Sequence, residues 1–117
     1  MTAIVLEIHL AVGFLVALCA LIFSWNSMGR RVMNAVLGLQ VLVGLVVAGT
    51  LGAAVMAFGG EVWAHILLAL LAVVAYGMSR RIGDRAGGAG RGMALAIVGF
   101  VLVFATIYIG LHMAGKV

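Results

Sequence analysis

The stretch Glu61-Val62-Trp63-Ala64-His65-Ile66-Leu67-Leu68 sets a carboxylate, an indole and an imidazole at the mouth of an apolar run that continues without an acidic or basic residue to Met78. A helix needs about 17–25 apolar residues to cross the hydrocarbon of a bilayer, so residues 62–78 read as one membrane span. Three more runs of this kind lie on either side, at 3–25, 32–58 and 92–114. Trp25, Trp63 and Tyr76 fall near run ends, where amphipathic rings settle at the headgroup level.

Composition supports the same class. The chain is 67% hydrophobic and 9% charged and contains no proline, and its mean hydropathy is +1.36. A soluble domain carries about 25% charged residues. The run 3–25 has no basic leader before it and no small-residue cleavage site after it, both of which a signal peptide would show; it reads as a permanent first span. The formal charge of +4 comes mostly from arginines in two connections. It therefore reports topology, not a nucleic-acid surface. The single Cys19 excludes an internal disulfide and a cysteine cluster, and its mid-span position reads as a small filler.

In lipid every backbone polar group must be satisfied within its own segment, which favours helices, and the alternating pattern of a membrane barrel is absent. The predicted architecture is an all-α, four-transmembrane-helix antiparallel up-and-down bundle forming a single domain over 1–117. Arg30, Arg31, Arg80, Arg81, Arg85 and Arg91 fall on one side and only Lys116 on the other. The positive-inside rule then places both arginine connections in the cytoplasm, with both termini and the Gly59-Gly60-Glu61 turn on the outer side. A bacterial or archaeal-type inner membrane is the expected location.

All three histidines share one level. His9 is about two turns into the first span, His65 about one turn into the third, and His112 about one turn from the end of the fourth. At ~1.5 Å rise per residue each lies ~5–10 Å inside the outer boundary. An interfacial histidine can simply bond water or lipid. Ionisable residues in spans are nevertheless costly and usually face the bundle interior or a cavity. Imidazoles on facing helices are how a bundle holds haem, and small residues beside the rings leave room for a flat group: Gly13 one turn from His9, Ala69 one turn from His65, Gly110 beside His112. Ordinary helix packing explains the same small residues, and Gly44, Ala48 and Gly52 form a further stripe suited to close helix contact, within the chain or between two copies.

The segments Leu39-Gln40-Val41-Leu42-Val43-Gly44 and Ala64-His65-Ile66-Leu67-Leu68-Ala69 resemble one four-helix half of the haem A synthase family. There a Leu-Gln-x-x-x-Gly segment precedes a helix opening on a haem-ligating histidine. The resemblance covers roughly residues 7–79 and implies that His65 and His9 ligate haem iron. The family's glutamate stands three residues before its histidine. Here Glu7 stands two before His9, about 200° around the helix, and the family's long outer loop is reduced to Gly59-Gly60-Glu61. What the resemblance then implies is a b-type haem site without oxidation of a haem methyl. In size and span count the chain is also similar to bacterial cytochrome b561 proteins, whose full histidine pattern it lacks.

The sequence thus predicts a small membrane cytochrome: one haem b held by His9 and His65, with His112 as the alternative ligand, exchanging electrons with quinone or a redox protein. His112 is otherwise suited to a haem propionate or a quinol site, and Glu7 and Glu61 read as interfacial charges or proton acceptors. Gln40 is expected to bond another helix and Tyr108 to serve a ligand or the interface. The alternative is a cofactor-free accessory or assembly subunit of a larger membrane complex, or a homodimer. A third reading gathers the three imidazoles around copper or zinc, which requires all three rings within ~2 Å metal–nitrogen reach.

Overall fold

Four helices account for nearly all of the computed structural model, which describes residues 2–52, 56–57 and 59–115. They are α1 (Thr2–Phe23), α2 (Ser27–Leu51), α3 (Gly60–Gly83) and α4 (Ala89–Met113). Each is long and apolar enough to cross a membrane. The chain is therefore a multi-pass, all-α membrane protein built as a four-helix bundle. Its longest dimension is 48 Å and its cross-section about 24 × 23 Å.

Helix ends follow local chemistry and differ from the predicted span limits. The α2 helix begins at Ser27 because Asn26, in an extended conformation, accepts a hydrogen bond from the Gly29 amide at 2.6 Å, an N-cap that satisfies a free helical donor. Arg30 and Arg31 therefore lie in the first turns of α2, not in a loop. At its other end α2 stops at Leu51, short of the predicted limit at Phe58. Gly52 turns to φ 41° while its amide still bonds the Ala48 carbonyl, a backbone state open to glycine. Residues 53–55 and Phe58, which complete the predicted second span, lie outside the described residues, as does Lys116. The α3 helix runs on to Gly83, carrying Arg80 and Arg81 into its last turn, where cations oppose the negative end of the helix dipole. The predicted connection 79–91 shrinks accordingly to 84–88.

Around the bundle α1 packs on α2, α2 on α3, α3 on α4 and α4 on α1, so α1 faces α3 across the diagonal. The core is lined by Val16, Cys19, Ala20, Met33, Leu37, Ala72, Tyr76, Ala96 and Val103. Large apolar side chains such as Phe14, Leu18, Leu45 and Leu67 point outward and are mostly exposed. Lipid gives helices no hydrophobic reason to associate, so small residues at the contacts, which let backbones approach, do that work instead.

The arginine-bearing end is closed by polar bonds between helices. Ser24 donates to the Ala20 carbonyl at 2.6 Å, and its oxygen lies 2.7 Å from the Tyr76 hydroxyl. A serine has a single proton to donate, so Tyr76 is the donor in the second bond. Tyr76 is fully buried, which overturns its reading as an interface residue. The ring lies against Gly99, where an added Cβ would stand 2.9 Å from the ring carbons. Arg30, only 4% exposed, donates from Nε to the Ser24 carbonyl at 3.1 Å and from Nη2 to Met93 Sδ at 3.8 Å. Ser79 donates to the Gly92 carbonyl. Outside, Arg31 pairs with Asp84 at 3.9 Å.

Candidate functional site

At the opposite end, the N-terminal halves of α1 and α3 bring two imidazoles together in the middle of the bundle. The His9 and His65 ring centroids are 6.2 Å apart and their planes are inclined by 87°. Both residues are half-buried. Because α1 and α3 are diagonal neighbours, the rings meet near the bundle axis, between the flanking helices α2 and α4.

Each flanking helix contributes a glycine at this level. Gly44 of α2 lies against the His9 ring: a Cβ there would come to 3.3 Å from Cε1. Gly110 of α4 lies against the His65 ring, with the corresponding distance 3.0 Å. Any larger residue at either place would have to displace an imidazole. The sequence reading set Gly110 beside His112; in the fold it receives the ring of His65.

Hydrogen bonds orient the pair from outside. His65 Nδ1 is 2.9 Å from the carbonyl oxygen of Thr106. A carbonyl only accepts, so Nδ1 carries the proton and Nε2 of a neutral His65 is left with its lone pair. This is the arrangement in which a metal-ligating histidine is held by its second nitrogen. His9 Nδ1 and Gln40 Oε1 are both buried, and the Gln40 side chain stands beside the His9 ring. The Gln40 amide donates to the His9 backbone carbonyl at 2.9 Å, tying α2 to α1. Gly13 is buried beneath this bond, and a Cβ there would stand 3.3 Å from Gln40 Nε2. Gly13 thus accommodates Gln40, not the space between the rings. Ala69 is half-buried one turn along α3 from His65.

His112 is not part of this pair. Its Nδ1 bonds Glu61 Oε2 at 2.9 Å on the outside of the bundle, with side-chain exposures of 53% and 45%. Glu61, Ala64, Tyr108, Ile109 and His112 line an open groove of about 210 Å³ between α3 and α4. Glu7 is exposed on α1. Among the described residues no group of three or more His, Cys, Asp or Glu side chains is placed to hold a metal ion, so the three imidazoles do not gather as a copper or zinc site requires. The Gly44/Ala48/Gly52 stripe divides in the fold: Gly44 faces His9, while Ala48 and Gly52 are exposed.

Two features of the site were not legible in the sequence: the bond from His65 to a carbonyl of α4 and the pairing of His112 with Glu61. Both join helices whose relative rotation no local pattern specifies. Comparison of the chain with protein-family models, curated proteins and solved structures finds no match.

Proposed function

We propose that the chain is a small membrane cytochrome that holds one b-type haem between His9 and His65. The observation that carries the reading is the approach of these two rings from diagonal helices to a centroid separation of 6.2 Å. Metal–imidazole bonds of ~2.0–2.1 Å would let two rings at this separation reach one ion. An edge contact without metal also falls in the ~4.5–7 Å range, so the polar surroundings carry weight too. His65 has its Nδ1–H committed to Thr106, which leaves Nε2 free to ligate. The two imidazoles fit the group in donor chemistry, and Gly44 and Gly110 let the rings approach one another between the flanking helices.

A haem iron with two imidazole ligands has no open coordination position and passes single electrons. The chain's own part is to supply both ligands, to hold the His65 tautomer through Thr106, and to surround the pair with apolar helix. A quinone in the bilayer or a redox protein at the histidine end would exchange the electrons. The arginine-bearing end, with Arg30, Arg31, Arg80, Arg81, Arg85 and Arg91, faces the cytoplasm under the positive-inside rule, which sets the haem in the outer half of an inner membrane.

The test is the absorption spectrum of the purified protein. A Soret band, a b-type pyridine haemochrome and loss of both in His65→Ala are expected. A colourless protein that co-purifies with larger subunits would reject the cytochrome and favour the accessory-subunit reading.

A further inference from the structure

Glu61 and Ala64 stand one turn apart on a face of α3, and Tyr108 and His112 one turn apart on a face of α4; residues three and four apart are neighbours on a helix surface. With Ile109 they wall the open groove of about 210 Å³ on the outside of the bundle. Two hydrogen-bond acceptors converge there. A carboxylate only accepts, so in the 2.9 Å bond between them His112 Nδ1 donates to Glu61 Oε2. A neutral His112 then keeps the Nε2 lone pair, and Glu61 keeps its second oxygen. Tyr108, 57% exposed, adds a phenol, while Ala64 and Ile109 supply apolar wall. Apolar walls with a few converging polar groups are the usual make-up of a small-molecule site. The space is smaller than the ~300–1,000 Å³ that drug-sized ligands fill, and it suits a single six-membered ring.

We infer that this groove seats the headgroup of a membrane hydroquinone, with a ring hydroxyl donating to the Glu61–His112 pair, the ring against Ala64 and Ile109, and the apolar tail in lipid. The place along the span agrees. The groove lies at the ends of two membrane helices, and Trp63, 60% exposed beside Ala64, is a ring of the kind that settles at the headgroup level. A phospholipid is a poorer occupant: the residues that line the groove include no arginine or lysine for its phosphate. Ala64 directly precedes His65 in α3, so the groove and the imidazole pair share one level of the bundle. The seat is defined by protein groups alone; that the seated quinol is the electron donor rests on the cytochrome reading.

The experiment is photocrosslinking of the purified chain in lipid nanodiscs with a benzoquinol that carries a diazirine at the start of a short alkyl tail, the crosslinked residues being located by mass spectrometry. Crosslinks should concentrate in 61–68 and 106–113. Excess plain quinol should suppress them, whereas its dimethyl ether, which has no hydroxyl to donate, and phosphatidylethanolamine should not. Ala64→Leu fills the groove and should abolish the labelling. Glu61→Gln removes the charged acceptor and should weaken protection by the plain quinol about tenfold, the order expected for losing a hydrogen bond to a charged group. Ala94→Leu, an equal change at an exposed position near the other end of α4, should label like the parent. If Ala64→Leu loses helicity, Glu61→Gln decides. Labelling spread along all four helices, equal protection by the ether or the phospholipid, or a Glu61→Gln chain indistinguishable from the parent overturns the inference. Any of these together with a Soret band leaves the cytochrome standing. Groove labelling that meets every expectation in a colourless protein keeps the quinol seat and rejects the cytochrome.

Discussion

The hydroxyl of Tyr76 donates to Ser24 Oγ across 2.7 Å in a fully buried position, joining α3 to the turn after α1 at the arginine-bearing end. Ser24 in turn donates to the Ala20 carbonyl, so one short relay ties the α3 tyrosine to the α1 backbone. Hydrogen bonds between membrane helices are worth about 0.6 kcal/mol on average and up to about 1.7. Tyr76→Phe should destabilise the bundle by an amount in that range. Tyr76→Ala, which also empties the space over Gly99, should cost about 3–5 kcal/mol. Reversible unfolding in mixed micelles measures both, and equal losses for the two would contradict the packing described.

Arg30 behaves differently from the other arginines. Its guanidinium is folded under the α1–α2 turn and donates to the Ser24 carbonyl. A hydrogen bond to a charged group contributes about 1.5–3 kcal/mol, so Arg30→Ala should destabilise by that much. Arg81→Ala, at an exposed position, should stay within about 0.5 kcal/mol of the parent. Melting temperatures in detergent compare the two directly.

Gln40 tests the link between the second helix and the candidate ligand. Gln40→Leu removes the donor that meets the His9 carbonyl and should cost up to about 1.7 kcal/mol. If the first helix is displaced as a result, the haem Soret maximum will shift or haem content will fall. An unchanged spectrum with unchanged stability would mean that the bond does not position His9.

The three histidines should separate cleanly by haem content. His9→Ala and His65→Ala are each expected to abolish binding, whereas His112→Ala should retain it, because His112 is engaged with Glu61 outside the bundle. An exposed side-chain pair of this kind contributes about 0–1 kcal/mol, so Glu61→Gln should scarcely change stability. Loss of haem in His112→Ala with retention in His9→Ala would reassign the ligands.

Orientation can be read chemically. In a Cys19→Ala background, Gly60→Cys should react with a membrane-impermeant maleimide in intact cells, whereas Ala86→Cys should react only after lysis. Labelling of position 86 alone in intact cells would reverse the assignment drawn from the arginines.

Four apolar runs, their short connections and the absence of barrel alternation were enough to read four membrane helices in one bundle, because hydrophobic length and backbone satisfaction in lipid are local properties. The shared level of His9 and His65 was legible for the same reason: depth along a span follows from counting residues. Rotation about each helix axis was not legible. It is decided where small residues let neighbouring helices approach, and only the assembled bundle turns His9 and His65 toward one another while sending His112 to Glu61 on the outside. The fate of Tyr76 and Arg30 was hidden by the same gap. Tyr76 read as interfacial and Arg30 as part of a polar connection, but Gly99 opens a seat for the ring and the Ser24 carbonyl offers an acceptor to the guanidinium. Gly99 lies on another helix and the Ser24 carbonyl in the turn before α2, and no periodicity encodes either contact.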